Sequence, residues 1–183
     1  MKLAEDRAQL AEAARLFGTL LIAELDTDQL SELREPSVEA CLSDLGIELP
    51  AGGDGEAKEL EELAADFFAL FLQPTEGAPP VQSVWASGSF EGEPAACIRR
   101  HADAAGVEFG RLAARGAAVD HLGSILLLWA EVAVRPECAE IAEHIESHHL
   151  AWGQQALAHA AADTGFYGQV SRACGSLLSE LSA

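Results

Sequence analysis

Apolar residues recur at steps of three and four along nearly the whole chain, the spacing of one face of an α-helix, and no stretch shows strand alternation. Leu10, Ala14, Phe17, Leu21 and Leu25 form one such face, so a first helix is predicted from about Leu3 to Glu24. Asp26-Thr27-Asp28 supplies a stop and an N-cap for a short helix over 28–34, which ends before Pro36. Ser37 is read as the cap of a helix from Val38 to Leu45, stopped by Gly46 and Pro50. Ala51 to Gly55 is a flexible joint, taken as a loop because about 50 residues is near the lower limit for an independent core.

A long helix is predicted over 56–72, with Leu60, Leu63, Phe67, Leu70 and Phe71 as its apolar stripe and acidic residues in its opening turns, which suits a helix N-terminus. The segment 73–92, with Pro79-Pro80 and Trp85, is read as the longest irregular stretch. Its prolines leave it little conformational entropy to lose, so it can be held in place. Glu93-Pro94 opens a helix to about Ala105, broken by Gly106 and Gly110. The stretch from Val119 to Val134 is apolar nearly all round and is predicted as the central buried helix. Pro136 opens a long helix to about Asp163 with Cys138, Ile141, Ile145, His148, Trp152 and Ala156 inward, and a last helix spans Phe166 to Leu181. The expectation is an all-α, single-domain bundle of about eight helices over residues 1–183 with a long Pro/Gly loop.

Composition narrows the function. Of 183 residues, 49% are hydrophobic, enough for a sizeable core and against disorder. Thirty acidic against 11 basic side chains give a net charge of −19, which argues against nucleic acid and suits a cationic partner, or serves solubility. Cys41, Cys97, Cys138 and Cys174 form no Cys-x-x-Cys pair and read as small buried hydrophobes of a reducing cytosol. The charged N-terminus is not a signal peptide, and the longest purely apolar run, Ile125 to Ala130, falls short of the roughly 20 residues a bilayer requires. Arg99-Arg100 is internal and is not an export signal of this chain. The expectation is a soluble cytoplasmic protein without stable membrane insertion.

Candidate chemistry is sparse. Nucleophile-elbow, Walker and dinucleotide-binding motifs are absent. His144 and His148 are four apart and share a helical face, as metal ligands can, but Glu146 points elsewhere and no third ligand can be named, so no metal site is assigned. Asp120-His121 stands at the start of the apolar helix. The pair either caps that helix or places a carboxylate and an imidazole at the rim of an apolar groove, where they would receive a guanidinium or a peptide backbone.

Three segments in order then resemble the TorD/DmsD/NarJ family of molybdoenzyme maturation chaperones, also called redox enzyme maturation proteins, with the DmsD/TorD-like branch most similar. They are Leu70-Phe71-Leu72-Gln73-Pro74 with Ala78-Pro79-Pro80 and Ser83-Val84-Trp85; Asp120-His121-Leu122-Gly123-Ser124; and His149-Leu150-Ala151-Trp152 with Phe166-Tyr167. The resemblance covers about residues 60 to 180. The sequence departs from the family pattern at Gln73 (usually Gly), Trp85 (commonly Tyr) and Ile125 (Glu in some branches), and it lacks the Pro often found upstream of Asp-His. The resemblance implies a non-enzymatic chaperone without cofactor. It would bind the twin-arginine leader, the body, or both, of the catalytic subunit of a molybdopterin oxidoreductase, aid cofactor insertion and prevent premature export, as monomer or dimer. Peptide-binding residues expected on this basis are Phe67, Phe71, Pro79, Pro80, Ser83, Trp85, Asp120, His121 and Trp129, with Val84 in the groove and Glu76 as a second carboxylate. The competing readings are a helical adaptor for an amphipathic peptide of an unrelated partner and a metal-dependent enzyme at His144 and His148.

Overall fold

Caps and breakers set the helix ends much as the sequence predicts. The computed structural model describes residues 2–50, 55–73, 79–109 and 117–182, and only the backbone of residues 2–5. The joint at 51–54, the loop residues 74–78 with Glu76, and Gly110 and Gly116 lie outside the described residues. Among those described there are ten α-helices and no strand: α1 (Lys2–Ile22), α2 (Thr27–Leu33), α3 (Pro36–Asp44), α4 (Glu56–Phe67), α5 (Gln82–Ser87), α6 (Glu93–Ala105), α7 (Leu122–Ala133), α8 (Ala139–Ile145), α9 (Gly153–Ala161) and α10 (Phe166–Leu181). Asp26 caps α2 in a reciprocal capping box with Gln29. Gly106 ends α6 at φ 65°, a left-handed conformation that costs glycine little.

Three predictions need correction. Helix α3 begins at Pro36, whose fixed φ and missing N–H suit a first helical turn, and it has no side-chain cap from Ser37. The segment expected to be irregular over 73–92 contains α5. The long helix expected over 136–163 is broken: a 3-10 turn (Pro136–Cys138) leads into α8, a π turn (Glu146–Leu150) follows, and α9 starts afresh at Gly153. A second π turn, Phe68–Leu72, extends α4. Each π turn adds one residue to a turn and rotates the face presented afterwards. That is why His149 is buried and His148, the predicted inward residue, is exposed. Of the cysteines, Cys138 and Cys174 are buried as expected, but Cys41 is exposed and Cys97 half-buried.

The helices sort into two units. The first comprises Met1–Ala23, Pro80–Ala156 and Cys174–Ala183. Its centre is α7, where nine of the helix's 12 residues are buried, including Leu122, Ile125, Leu126, Leu128 and Trp129. The Ala14, Phe17 and Leu21 face of α1 packs on it. The two backbones touch: a Cβ on Gly123 would lie 2.7 Å from the Gly18 carbonyl oxygen, and one on Gly18 would lie 2.9 Å from that of Gly123. Only glycine at both positions permits this approach.

The second unit comprises Glu24–Pro79 and Leu157–Ala173. Its core holds an aromatic cluster in which Phe67 and Phe71 pack tilted at 5.1 Å and Tyr167 meets both edge-on at 5.2 and 6.1 Å. The Tyr167 hydroxyl accepts from the Leu25 N–H at 3.3 Å. Glu59, buried, is paired with Arg34. No described helix is long and apolar enough to cross a membrane.

Candidate functional site

The Pro79-Pro80 segment and the Asp120-His121 segment meet. The Leu122 N–H donates to the Pro80 carbonyl at 2.7 Å and the Gln82 N–H to that of Asp120 at 2.9 Å, forming an isolated antiparallel bridge between Val81 and His121. Proline fits here because only its carbonyl is needed. Helix α5 starts directly after the bridge, and Val81, at its N-cap position, has no side-chain acceptor for the first-turn amides. Asp120 supplies one from across the bridge. Its Oδ2 accepts the Ser83 N–H at 2.7 Å and also the Ser83 hydroxyl, while Ser83 Oγ accepts the Gly92 N–H at 2.9 Å. One carboxylate oxygen thus fixes the start of α5 and, through a serine, the turn that follows it.

His121 caps α7. Its Nδ1 accepts the Gly123 N–H at 3.0 Å, and burial, only partly opposed by the neighbouring Asp120, holds its pKa down at about 4. The ring is therefore neutral with a bare Nδ1, the form a cap requires.

Asp120 does not stand at a groove rim. It is fully buried, as is Ser83, and both belong to this knot. Of the nine expected site residues, Pro80, Ser83, Asp120 and His121 come together, with Trp85, 37% exposed, on the outer part of α5. Trp129 is buried, and its Nε1 donates to Glu146 Oε1 at 2.8 Å, an oxygen that also receives Arg7 at 2.6 Å. Phe67 and Phe71 are buried against Tyr167 in the second unit's core. The alternation that identified them as apolar is that of a core stripe.

A second polar group, which the sequence reading did not assemble, flanks the knot. Cys97 and His101 lie one turn apart on α6, and His144 and His149 come from α8 and the π turn after it. One donor atom from each of the four lies within 4.8 Å of the others. Cys97 Sγ is 3.5 Å from His101 Nε2 and 3.9 Å from His144 Nε2. Burial, the neighbouring His144 and Arg100 lower the pKa of His101. Burial and the surrounding imidazoles push that of His149 down to about 4. His148, expected to pair with His144, instead stacks on its ring at 4.2 Å while exposed, with Nδ1 near Ser147 Oγ. The available sequence signal was Cys97-x-x-x-His101. His144 and His149, five apart, would diverge by about 140° on a regular helix and meet only through a π turn.

The described residues form an all-α protein in which a short backbone bridge joins two of the motif segments. The sequence profile of the nitrate reductase delta subunit family matches residues 3–161, and the chain belongs to that family, which comprises molybdoenzyme maturation chaperones of the NarJ/TorD kind. The match is to the family as a whole and does not single out the DmsD-like branch. No curated protein matches the chain.

Proposed function

We propose that this chain is a system-specific chaperone that binds the twin-arginine leader, the body, or both, of the catalytic subunit of a molybdopterin oxidoreductase, and holds it in the cytoplasm while its cofactor is inserted. The family membership supports the class of client. The observation that carries the leader-binding part is the segment from Trp85 to Glu93. Trp85 and Phe90 are 37% and 64% exposed, beside a backbone that the Asp120–Ser83–Gly92 relay pins at both ends. Exposed aromatics on fixed backbone bind an apolar peptide with little ordering cost.

The same segment offers carboxylates. Glu91 and Glu93 are largely exposed and hold Arg99 and Arg100 at 3.3 and 2.9 Å. Glu91 is, among the described residues, the non-glycine with positive φ, 61°. Such a conformation costs about 1–3 kcal/mol and clusters at functional sites. Exposed pairs of this kind contribute about 1 kcal/mol or less, so an incoming pair of arginines can exchange with the resident ones. The net charge of −19 would steer such a peptide inward. Glu91 and Glu93 thereby take the role that the sequence reading gave to Asp120.

Calorimetric titration of the full chain with leader peptides from molybdoenzymes tests this reading. Micromolar or tighter binding is expected, weakened when the leader arginines become alanine and by Trp85→Ala or Glu91→Gln with Glu93→Gln. A leader lacking both arginines that binds equally well makes the protein an adaptor for amphipathic peptides instead, and binding unchanged in the variants removes the site.

A further inference from the structure

Four nitrogen and sulfur donors converge on one point between α6 and the π turn, and their hydrogen bonding leaves them ready for something else. The amide of Gln82 shows how. Its Nε2 donates to the His148 carbonyl at 3.0 Å, so Oε1 must be the atom facing His149 Nδ1 at 2.7 Å. That oxygen can only accept, so Nδ1 carries the hydrogen and Nε2 is the nitrogen with the free lone pair. His149 is 4% exposed, and its Nε2 is buried with no hydrogen-bond partner. Leaving a buried acceptor unmet is costly. A carbonyl or amide oxygen on the far nitrogen of an imidazole is the arrangement that orients metal-ligating histidines.

We propose that Cys97, His101, His144 and His149 form a tetrahedral site for zinc or a comparable first-row divalent ion. One thiolate and three imidazoles, with no oxygen donor, do not suit magnesium or calcium and do suit zinc. Zinc bonds of about 2.0–2.1 Å to nitrogen and 2.3 Å to sulfur put tetrahedral ligands roughly 3.3–3.8 Å apart. Cys97 already stands 3.5 Å from His101 and 3.9 Å from His144, and the widest separation in the group, 4.8 Å, closes by about 1 Å on side-chain rotation. All four positions are taken by protein, which makes the site structural rather than catalytic. Its effect is to tie α6 to the π turn, and through Gln82 to tie both to the start of α5. The pair His144 and His148 considered from sequence is replaced, because the π turn turns His149 inward and leaves His148 outside.

The test uses the full chain purified without an affinity tag and stripped by chelator. Zinc titrated calorimetrically should bind at one equivalent and raise the melting temperature. Cobalt should give the visible bands of a tetrahedral ion and a near-ultraviolet sulfur-to-metal band. Cys97→Ser should abolish the sulfur band, and Cys97→Ser or His149→Gln should weaken zinc binding on the order of 100-fold. Gln82→Ala should weaken it by about tenfold through loss of the orienting bond. His148→Gln should leave it unchanged. Helical circular dichroism in chelator identifies any variant that has lost its fold. Cobalt bound by the wild type without the sulfur band overturns the proposal, as does zinc affinity that survives His149→Gln or disappears with His148→Gln. The last result would mean a surface histidine pair only.

Discussion

The Asp120 knot and the Cys97–His149 cluster are neighbours, joined through Gln82, and both are polar groups within the first unit. They differ in what their polar atoms face. In the knot, Asp120 Oδ2 takes two hydrogen bonds, Ser83 passes one on to Gly92, and His121 caps α7 with one ring nitrogen, while Asp120 Oδ1 is buried without a hydrogen-bond partner. In the cluster, a buried imidazole nitrogen and a sulfur are left facing other imidazoles. A carboxylate oxygen that accepts backbone and hydroxyl hydrogens holds backbone in place, whereas a thiol and three imidazoles turned on one another have the donor types of a metal site. Asp120, which looked chemical in the sequence, builds scaffold, and the clustered donors bring together His144 with Cys97, His101 and His149, which the sequence did not connect.

Removing the knot is the largest perturbation available. Asp120→Ala strands the Ser83 amide and hydroxyl in a dry site and opens a cavity. About 3 kcal/mol should be lost in a denaturant titration, since each hydrogen bond to a charged group contributes about 1.5–3 kcal/mol. Asp120→Asn retains one acceptor oxygen and should lose less than half as much. A loss below about 1 kcal/mol for Asp120→Ala would show that the carboxylate does not carry the knot and would return it to consideration as an arginine receptor.

Gly123→Ala should come next. The added methyl would press on the Gly18 carbonyl and stand 3.2 Å from the Ile22 amide nitrogen. Both are backbone, so α1 must shift, at a cost of about 1–3 kcal/mol. A melting temperature unchanged by the substitution would mean that the two helices separate freely.

Much of this architecture was legible. Helix α7 announced itself as apolar on every side, Gly106 ended α6, and Asp26 capped α2, because each is decided within a few residues. The meeting of Pro80 with Asp120-His121 was not legible, since the resemblance marked them only as separate segments in order. Nothing local pairs the two segments, and Asp120 caps a helix start 37 residues away in sequence. The π turns were invisible because periodicity analysis assumes a constant rotation per residue, and one added residue exchanges His148 for His149. Phe67, Phe71 and Trp129 were assigned to a groove because an apolar stripe looks the same whether it faces a core or a ligand.

The titration of His121 gives a more selective effect. Its unfolded pKa is the ordinary 6.5 and its folded pKa about 4, so the unfolded chain takes up a proton that the folded one refuses. The contribution is fully present above about pH 6.5, falls by roughly 1.4 kcal/mol per pH unit below that, and levels off near pH 4. His149 is displaced in the same direction, so the comparison must be with a variant that keeps it. His121→Asn preserves a capping oxygen and removes the proton uptake. The dependence of unfolding free energy on pH between 6.5 and 4 should be shallower in the variant, and parallel curves would assign the slope elsewhere.

Trp85→Ala bears most directly on function. Trp85 is 37% exposed, so its truncation also removes buried ring area and should cost about 2 kcal/mol. The backbone beneath it is held by Asp120 and Ser83. A variant with wild-type helical content but weakened leader binding would separate the two functions of α5, the buried face that builds the knot and the outer face that meets a peptide. Loss of stability comparable to that of Asp120→Ala would instead make Trp85 part of the scaffold. The peptide surface would then have to be sought at Phe90, which is more exposed and sits in the turn that Ser83 restrains.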